Sequence, residues 1–351
     1  MQPRAIRLVI VALIAAVLAT VGGATVAARA ADAAPAAVAG WRWTNKGNLG
    51  RLGGGSADRI SCPSLKLCVV AGSDFVFTTT STATRPSLWK RTKLATDDEL
   101  GDSIMTEVDC PSLVLCLAMD DRNNVYTSAN AHGGAPSWTR SSLPTNTYVG
   151  IRALSCASPT LCGALDVSGN GMTTVTPAGL GSQWRASRVS TTVNASLYDL
   201  ACKATFCLGV QSTGAIYMTT NPTAQPATWR PMQVAPARNP INAISCGSTR
   251  LCVTGGSGGL RVSTNPTLRT SWKVMPVAGL RYVDHVTCTS AALCFATAGS
   301  EIYVSTAPAR RGTWRRTYST RSVILADLAC PTARVCVAID VGGGVFVGTR
   351  T

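Results

Sequence analysis

The chain has 351 residues and a formal net charge of +15, yet only 14% of its residues are charged and 6% are aromatic. So small a charged fraction, beside 32 Gly, is unlike an α/β enzyme and is typical of many short strands joined by tight turns. The excess of Lys and Arg favours an anionic partner, although the same charge also serves to keep an exported protein soluble.

The chain begins with a predicted export signal, residues 1–30. Arg4 and Arg7 precede an apolar stretch, residues 8–28, and Ala28-Arg29-Ala30 forms a small-x-small cleavage site. Cleavage leaves a net charge of +12, because the signal contains three Arg and no acidic residue. The apolar stretch is also long enough to stay as an uncleaved anchor. Residues 31–40 are predicted to be a flexible lead-in, no later segment is expected to span a membrane, and the protein is expected to be secreted or associated with the cell envelope.

Fourteen Cys follow as seven pairs, six with the spacing C-x5-C and one with C-x4-C. The first Cys of each pair recurs after 48, 46, 46, 44, 42 and 42 residues, which is the length of a four-stranded propeller blade. In an exported chain such pairs predict structural disulfides, one for each blade. The predicted bridges join Cys62 to Cys68, Cys110 to Cys116, Cys156 to Cys162, Cys202 to Cys207, Cys246 to Cys252, Cys288 to Cys294 and Cys330 to Cys336. A zinc site is not favoured, since the chain has only two His and no CxxC pair.

Each repeat predicts four strands, A to D. Strand A reads apolar-x-Cys, strand B contains the second Cys, strand C follows a Gly/Asp/Asn turn, and a polar loop ends at a Trp that opens strand D. The seventh repeat stops at Thr351 without this Trp, whereas Trp43 to Leu49 supplies the missing pattern ahead of the first repeat. We therefore predict an all-β, seven-bladed β-propeller over residues 41–351, a ring closed by the N-terminal strand completing the last blade.

The repeat apolar-x-Cys…Cys-x-x-x-G…I-Y-x-S-T…G-x-W resembles the BNR or Asp-box repeats of sialidases, sortilin-type receptors and propellers similar to the photosystem II assembly factor. The resemblance implies a secreted bacterial propeller and allows for a glycan-active hydrolase of sialidase-like type. The Ser and Trp ends of the Asp box remain in Ser305…Gly312-Thr313-Trp314, but its Asp is absent. The R-I-P motif that contains the leading catalytic Arg is missing, and none of Glu99, Glu107 and Glu301 is recognised as paired with a Tyr. A non-catalytic protein is therefore the preferred interpretation, and the hydrolase is the alternative.

Charged residues gather just before strand A in most repeats and are the candidate ligand-binding rim. They are Asp58, Arg59, Glu107, Arg152, Asp199, Arg281, Asp284, His285, Arg321 and Asp327. If all reach the mouth of the ring, they could hold a polar ligand or a cation; the competing interpretation is that an Asp at this position bonds the backbone of its own turn. No catalytic residue, resident metal or cofactor is predicted.

Two further motifs allow a functional and a plain interpretation. The longest loop, residues 95–107, contains Asp97, Asp98, Glu99 and Asp102 and is either a Ca²⁺ loop or a solvated acidic loop. Gly255-Gly256-Ser257-Gly258-Gly259 matches a nucleophile elbow but falls where other repeats have a turn, so a turn is predicted.

Basic residues follow most of the repeat tryptophans, at Lys90, Arg91, Arg140, Arg185, Arg230, Lys273, Arg315 and Arg316. Because strand D is outermost, they are expected around the circumference, where they either bind an anionic surface or protect strand edges from pairing. The predicted function is a monomeric binding or scaffold module at the cell envelope. Its partner would be an anionic cell-wall polymer, a glycan or another envelope protein. Nucleic acid is not expected, because the compartment is wrong and no recognition helix or stacking motif occurs.

Overall fold

The structure, a computed structural model, describes residues 40–52, 56–81, 86–94, 103–144, 150–190, 196–320 and 322–351. The predicted export signal, nearly all of the lead-in, Arg321 and the acidic stretch 95–102 lie outside these residues. Within the described part no helix is long and apolar enough to cross a membrane. Helical structure there consists of 3₁₀ turns, at Leu49–Leu52, Pro86–Leu88, Ala131–Gly133, Ala135–Ser137, Gly181–Gln183 and Arg269–Ser271.

Twenty-eight strands form seven antiparallel sheets of four, which we call blades 1 to 7. The strand β1 (Trp41–Asn48) belongs to blade 7. Blade 1 is β2 (Arg59–Ser64), β3 (Leu67–Gly72), β4 (Phe75–Thr79) and β5 (Lys90–Lys93); blade 2 is β6 (Met105–Ser112), β7 (Leu115–Asp120), β8 (Asn124–Ser128) and β9 (Thr139–Ser142); blade 3 is β10 (Ile151–Ser158), β11 (Leu161–Asp166), β12 (Asn170–Thr174) and β13 (Arg185–Arg188). Blade 4 is β14 (Leu197–Lys203), β15 (Phe206–Gln211), β16 (Ala215–Thr219) and β17 (Arg230–Gln233); blade 5 is β18 (Ile241–Ser248), β19 (Leu251–Gly256), β20 (Leu260–Ser263) and β21 (Lys273–Met275); blade 6 is β22 (His285–Ser290), β23 (Leu293–Ala298), β24 (Glu301–Ser305) and β25 (Arg315–Ser319); blade 7 is β26 (Leu325–Thr332), β27 (Val335–Asp340), β28 (Gly344–Arg350) and β1.

The blades form a closed ring, as the sequence predicts. The A strands of successive blades pack against one another in order, and β26 of the last blade packs against β2 of the first. In each blade the strand order is A-B-C-D, so strand D is the outer edge. The A–B turns and C–D loops emerge at one end of the ring, which we call the disulfide face. The B–C turns and D–A loops emerge at the other end, the acid-bearing face.

The N-terminal strand closes the ring by completing blade 7. It pairs antiparallel with β28 from Trp41 opposite Arg350 to Asn48 opposite Gly344. Trp41 is fully buried, and its ring lies 4.9 Å from that of Phe295 in blade 6. A Cβ on Gly348 would come within 2.8 Å of Trp43, so only glycine lets this strand approach so closely. The predicted closure by a strand from the opposite end of the chain is confirmed.

All seven predicted disulfides are confirmed, and each joins strand A to strand B within one blade. The bridges link Cys62 to Cys68, Cys110 to Cys116, Cys156 to Cys162, Cys202 to Cys207, Cys246 to Cys252, Cys288 to Cys294 and Cys330 to Cys336. The paired Cα atoms lie 3.9–4.1 Å apart, because the two cysteines sit opposite each other beside a tight hairpin turn. Each pair therefore lies near the A–B turn, at the disulfide face.

The hydrophobic core is divided into layers between neighbouring blades. One layer joins Ile60 and Phe77 of blade 1 to Val337 and Val347 of blade 7. The B strands are buried along almost their whole length, because a neighbouring blade covers each of their two faces. This burial explains the continuous apolar runs in the sequence, and it leaves only the inner edge, the outer edge and the two ends of each blade for function.

Candidate functional site

The A strands surround a central channel with a cavity of about 360 Å³. Two rows of side chains flank the buried apolar residue of each A strand. The row before that residue contributes Arg59, Glu107, Asp199, His285 and Asp327 to the channel lining. The row after it contributes Ser61, Asp109, Ser245, Thr287 and Ala329. The channel is therefore the place where the charged groups of different blades meet.

At least one side-chain hydrogen bond crosses each of the seven blade junctions at the channel wall. Most use the residue between the apolar position and the Cys. The bonds run from Cys110 N to Ser61 Oγ (3.0 Å), Cys156 N to Asp109 Oδ2 (2.7 Å), Cys202 N to Ser155 Oγ (3.0 Å), Ile244 N to Asp199 Oδ2 (2.7 Å), Cys288 N to Ser245 Oγ (3.0 Å), Thr287 Oγ1 to Leu328 O (2.6 Å) and Ile60 N to Asp327 Oδ2 (3.0 Å).

In blades 4 and 7 a different residue forms the hydrogen bond to the next blade. Both have Ala at the usual position, Ala201 and Ala329, and both have an Asp two residues earlier. Asp199 and Asp327 each accept one bond from the next blade and one from the following residue of their own strand. Their carboxylates are therefore engaged in holding neighbouring blades together.

The channel also contains an ion pair, between Arg59 Nε and Glu107 Oε1 at 3.2 Å. Burial raises the pKa of Glu107 to about 8, and this effect outweighs the opposing one of Arg59. Burial disfavours the charged form of Arg59, but Glu107, Asp327, Asp199 and Asp58 together hold its pKa above the ordinary value.

The other titratable groups of the channel are shifted mainly by burial. It raises the pKa of Asp109 and of Asp199 to about 6 each, and it raises the pKa of Asp327 as well. Burial, and then the charge of Arg59, lower the pKa of His285 to about 3, so its imidazole is neutral at neutral pH. Of these channel carboxyls, Glu107 has a pKa above neutral pH, whereas the pKa values of Asp109 and Asp199 lie below it, so burial raises the pKa of these two aspartates without removing their charge at neutral pH.

The raised pKa values of the channel carboxyls predict that the protein becomes less stable as the pH rises, and the lowered pKa of His285 offsets part of this effect near its ordinary value of 6.5. A carboxyl with a raised pKa holds its proton more tightly in the folded than in the unfolded state, so its stabilising effect is present near pH 4 and is lost as the pH rises through the folded pKa. We expect the free energy of unfolding to be about 2 kcal/mol lower at about pH 8.5 than at about pH 5.5. Urea unfolding at the two pH values measures it. The Glu107→Gln variant should show a smaller difference, and an unchanged difference in that variant would contradict the assignment to Glu107.

The ten rim candidates separate into groups. Arg59, Glu107, Asp199, His285 and Asp327 come together on the channel wall, within or at the start of the A strands rather than on the rim loops. Asp58 accepts a bond from Ser56 Oγ (3.0 Å) and Asp284 one from Gly299 N (2.6 Å), whereas Arg152 and Arg281 are exposed. Arg321 lies outside the described residues.

Sequence reasoning missed the second channel row. Asp109 and the hydroxyls of Ser61, Ser155, Ser245 and Thr287 occupy the x of the apolar-x-Cys pattern. The sequence did contain a signal for this row, because the residue before the first Cys is polar in five blades. In the other two blades it is Ala, and an Asp lies two residues before that Ala.

The structure brings one Glu and one Tyr together. Sequence analysis recognised no Glu paired with a Tyr, but Tyr303 donates a hydrogen bond from its hydroxyl to Glu301 Oε2 at 2.7 Å. The two residues stand two apart on β24, so they share one face of the strand. Burial and the adjacent carboxylate raise the pKa of Tyr303 to about 12. The pair lies toward the outside of blades 5 and 6, in a cavity of about 510 Å³ with Trp314 and Arg316, and not in the central channel.

The glycine-rich motif around Ser257 forms the turn between β19 and β20, as predicted. Among the described residues, no three His, Cys, Asp or Glu side chains are placed to hold a metal ion.

The outer surface shows a separation of charge. The seven D strands contain twelve Lys or Arg and no acidic residue, and we call these twelve the basic belt. They are Arg42, Lys46, Lys90, Arg91, Lys93, Arg140, Arg185, Arg188, Arg230, Lys273, Arg315 and Arg316. All but Lys46, which is half-buried, are exposed. Two of the belt residues form ion pairs with acids at strand ends, Lys93 with Asp74 and Arg316 with Glu301.

Acidic and basic residues are also separated between the two ends of the ring. The A–B turns and C–D loops of the disulfide face contain no Asp or Glu in the sequence. Every Asp or Glu of the described residues lies in the channel or at the acid-bearing face. Within the described residues, the disulfide face therefore presents positive charge without acids, and on the circumference only Asp74 and Glu301, at strand ends, are seen to pair with belt residues.

No protein-family model matches the chain, and no curated protein sequence matches it. Solved structures do match. A structure titled "Streptogramin B lyase structure" matches with a TM-score of 0.68 and 10% identity, over 89% of this chain and 98% of that one. The structure of YCF48 bound to D1 peptide matches with a TM-score of 0.65 and 11% identity over 89% and 95%. YCF48 from Cyanidioschyzon merolae matches with a TM-score of 0.65 and 14% identity over 87% and 98%. At such identities the likeness concerns the fold alone, which is that of a seven-bladed β-propeller with both binding proteins and a lyase among its neighbours.

Proposed function

We propose that this protein is an exported, non-catalytic binding module that holds an anionic polymer at the cell envelope. The observation that carries the proposal is the separation of charge: the outer strands and the disulfide face have Lys and Arg but no Asp or Glu. Protection of strand edges would explain charge on the D strands, but it does not require all of it to have one sign. Nor does it account for the acid-free loops.

Export and the absence of catalysis rest on separate observations. Fourteen cysteines paired in seven disulfides are typical of an oxidising compartment. The carboxylates of the channel are engaged in blade junctions or with Arg59, and the Tyr303–Glu301 pair lies outside the channel, with Glu301 also paired with Arg316. The likeness to YCF48 bound to a D1 peptide supports binding as a use of this fold. An envelope protein with an acidic surface is the nearest alternative partner.

The test is the binding of the oxidised mature protein to a panel of polymers. We expect poly(glycerol phosphate) and polygalacturonate to bind at about 50 mM NaCl and to be released at about 300 mM, while dextran does not bind, because exposed ion pairs are screened by salt. Gel analysis of each polymer after long incubation should show no cleavage. Cleavage, or binding of a neutral glycan that survives salt, would contradict the proposal and favour the glycan-active hydrolase.

The Glu107→Gln variant is the matched control. It replaces the titratable partner of Arg59 inside the channel without altering the outer surface, so polymer affinity should stay within about twofold of the parent. A large loss of affinity in this variant would move the binding site from the outer surface to the channel, and with it to the charged rim candidates.

A further inference from the structure

Arginines are concentrated on one part of the disulfide face, that of blades 5 to 7. We call this group the arginine sector: Arg250, Arg269, Arg310, Arg311, Arg334 and Arg350. All six are exposed. The same turns and loops of blades 1 to 4 contain, by sequence, only Lys66, Arg85, His132 and Lys203. The sector is thus a feature of three blades and not of the repeat.

The six guanidinium groups are available to a partner. None of them takes part in an ion pair within the described part of the chain. Arg269 donates from Nε to the carbonyl of Gln233 at 2.8 Å, a bond that leaves its other donors to solvent. Arg334 and Arg350 are held side by side, because the N–H of Arg350 bonds the carbonyl of Arg334 at 2.8 Å. Arg310 and Arg311 are consecutive. Like charges this close favour an anionic partner.

The residue type indicates the chemistry of that partner. All six positions are Arg, whereas the basic belt mixes Arg with Lys. A guanidinium offers a planar fork of donors that matches two phosphate oxygens, while an ammonium acts as a point charge. Six such forks spread over three blades fit a molecule with several phosphates in succession rather than one small phosphate in a pocket.

The shape of the basic surface favours a flexible chain over a flat membrane. From the disulfide face the positive charge continues onto the circumference, at Lys273 and Arg315 of the outer strands. This surface turns the corner between the end and the side of the ring. A linear polymer can follow the corner, whereas a bilayer can contact only one of the two sides at once.

We propose that the arginine sector is the site at which this propeller binds a linear phosphodiester polymer. The inference rests on the proposed function and assigns it a surface and a ligand chemistry.

The test compares two variants with the same loss of charge. Arg310→Gln/Arg311→Gln/Arg334→Gln alters the sector, and Arg185→Gln/Arg188→Gln/Arg230→Gln alters the belt on blades 3 and 4. With poly(glycerol phosphate) as the probe, we expect the sector variant to bind at least about tenfold more weakly than the parent. The salt dependence of its binding should also become weaker: the slope of log affinity against log salt should become less steep by about one for each phosphate group that the variant no longer binds. The belt variant should bind less than about threefold more weakly. Equal melting temperatures would establish that both variants are folded.

A charge-conserving variant tests the phosphate preference. Arg310→Lys/Arg311→Lys/Arg334→Lys keeps the charge but removes the planar fork of donors, so it should weaken binding of poly(glycerol phosphate) while leaving that of polygalacturonate unchanged.

Equal losses of affinity in the sector and belt variants would overturn the assignment of the sector and leave the proposed function standing. Sector-dependent binding to phosphatidylglycerol vesicles in preference to the polymer would overturn the choice of partner. Failure of the parent protein to bind any polyanion at low salt would instead overturn the proposed function itself.

Discussion

Reduction of the seven disulfides is expected to unfold the protein at about 37 °C. Each bridge closes a loop between cysteines five or six residues apart, which in the chain-entropy model contributes about 2 kcal/mol. Seven such contributions are comparable with the roughly 5 to 15 kcal/mol by which whole proteins are stable. The hydrophobic layers between blades should not compensate for losing all of them.

Thermal melts followed by circular dichroism, with and without a reductant, measure this effect. The Cys62→Ser/Cys68→Ser variant is the control: it removes one bridge, should lose only about 2 kcal/mol, and should remain folded. A reduced protein that melts within about 5 °C of the oxidised one would show that the interblade layers suffice.

Replacing Trp41 by Ala is expected to lower the free energy of unfolding by about 3 to 5 kcal/mol. Its side chain is fully buried at the start of β1 and packs edge-on against Phe295 of blade 6. Trp41 therefore ties the closing strand to the neighbouring blade as well as to its own. Its loss should leave a cavity and also loosen β1 from β28, which exposes a strand edge.

The two effects can be separated with Trp314→Ala. Trp314 is of the same size and is only 4% exposed, but its side chain packs in the layer between blades 5 and 6, whereas Trp41 packs in the layer between blades 6 and 7. Both variants should lose similar stability in urea unfolding. Only Trp41→Ala should speed hydrogen exchange at the β28 amides that bond β1. Equal exchange rates in the two variants would mean that backbone pairing alone holds the ring closed.

The ring was predictable because its signals are local and repeated. Two cysteines six residues apart across a turn specify a hairpin, and seven copies at a regular period specify the blades. Trp43 revealed the closure of the ring, because it supplied the strand-D tryptophan that the seventh repeat lacks. The channel was less accessible. Whether Asp327 bonds its own turn or the next blade depends on the register between sheets, and no spacing within a repeat encodes that register.

The candidate site was predictable in its composition but not in its arrangement. The basic residues after the repeat tryptophans were identified, because their strand could be placed at the outer edge. The arginine sector was not identified, because its members come from turns, loops and one strand end of three different repeats. Glu301 and Tyr303 were missed although their separation by two residues in one predicted strand places them on the same face.

The closing strand also fixes where the chain ends leave the ring. Gly40 and Thr351 are joined by a backbone hydrogen bond of 2.7 Å at the disulfide face, where β1 starts and β28 ends. Any segment attached ahead of Gly40, or a tag fused after Thr351, departs from the same side as the arginine sector. Immobilising the protein by either terminus would turn that side toward the support and hide it from a soluble polymer. A terminal tether to a membrane would likewise hold the sector inward, facing the surface to which the protein is tied.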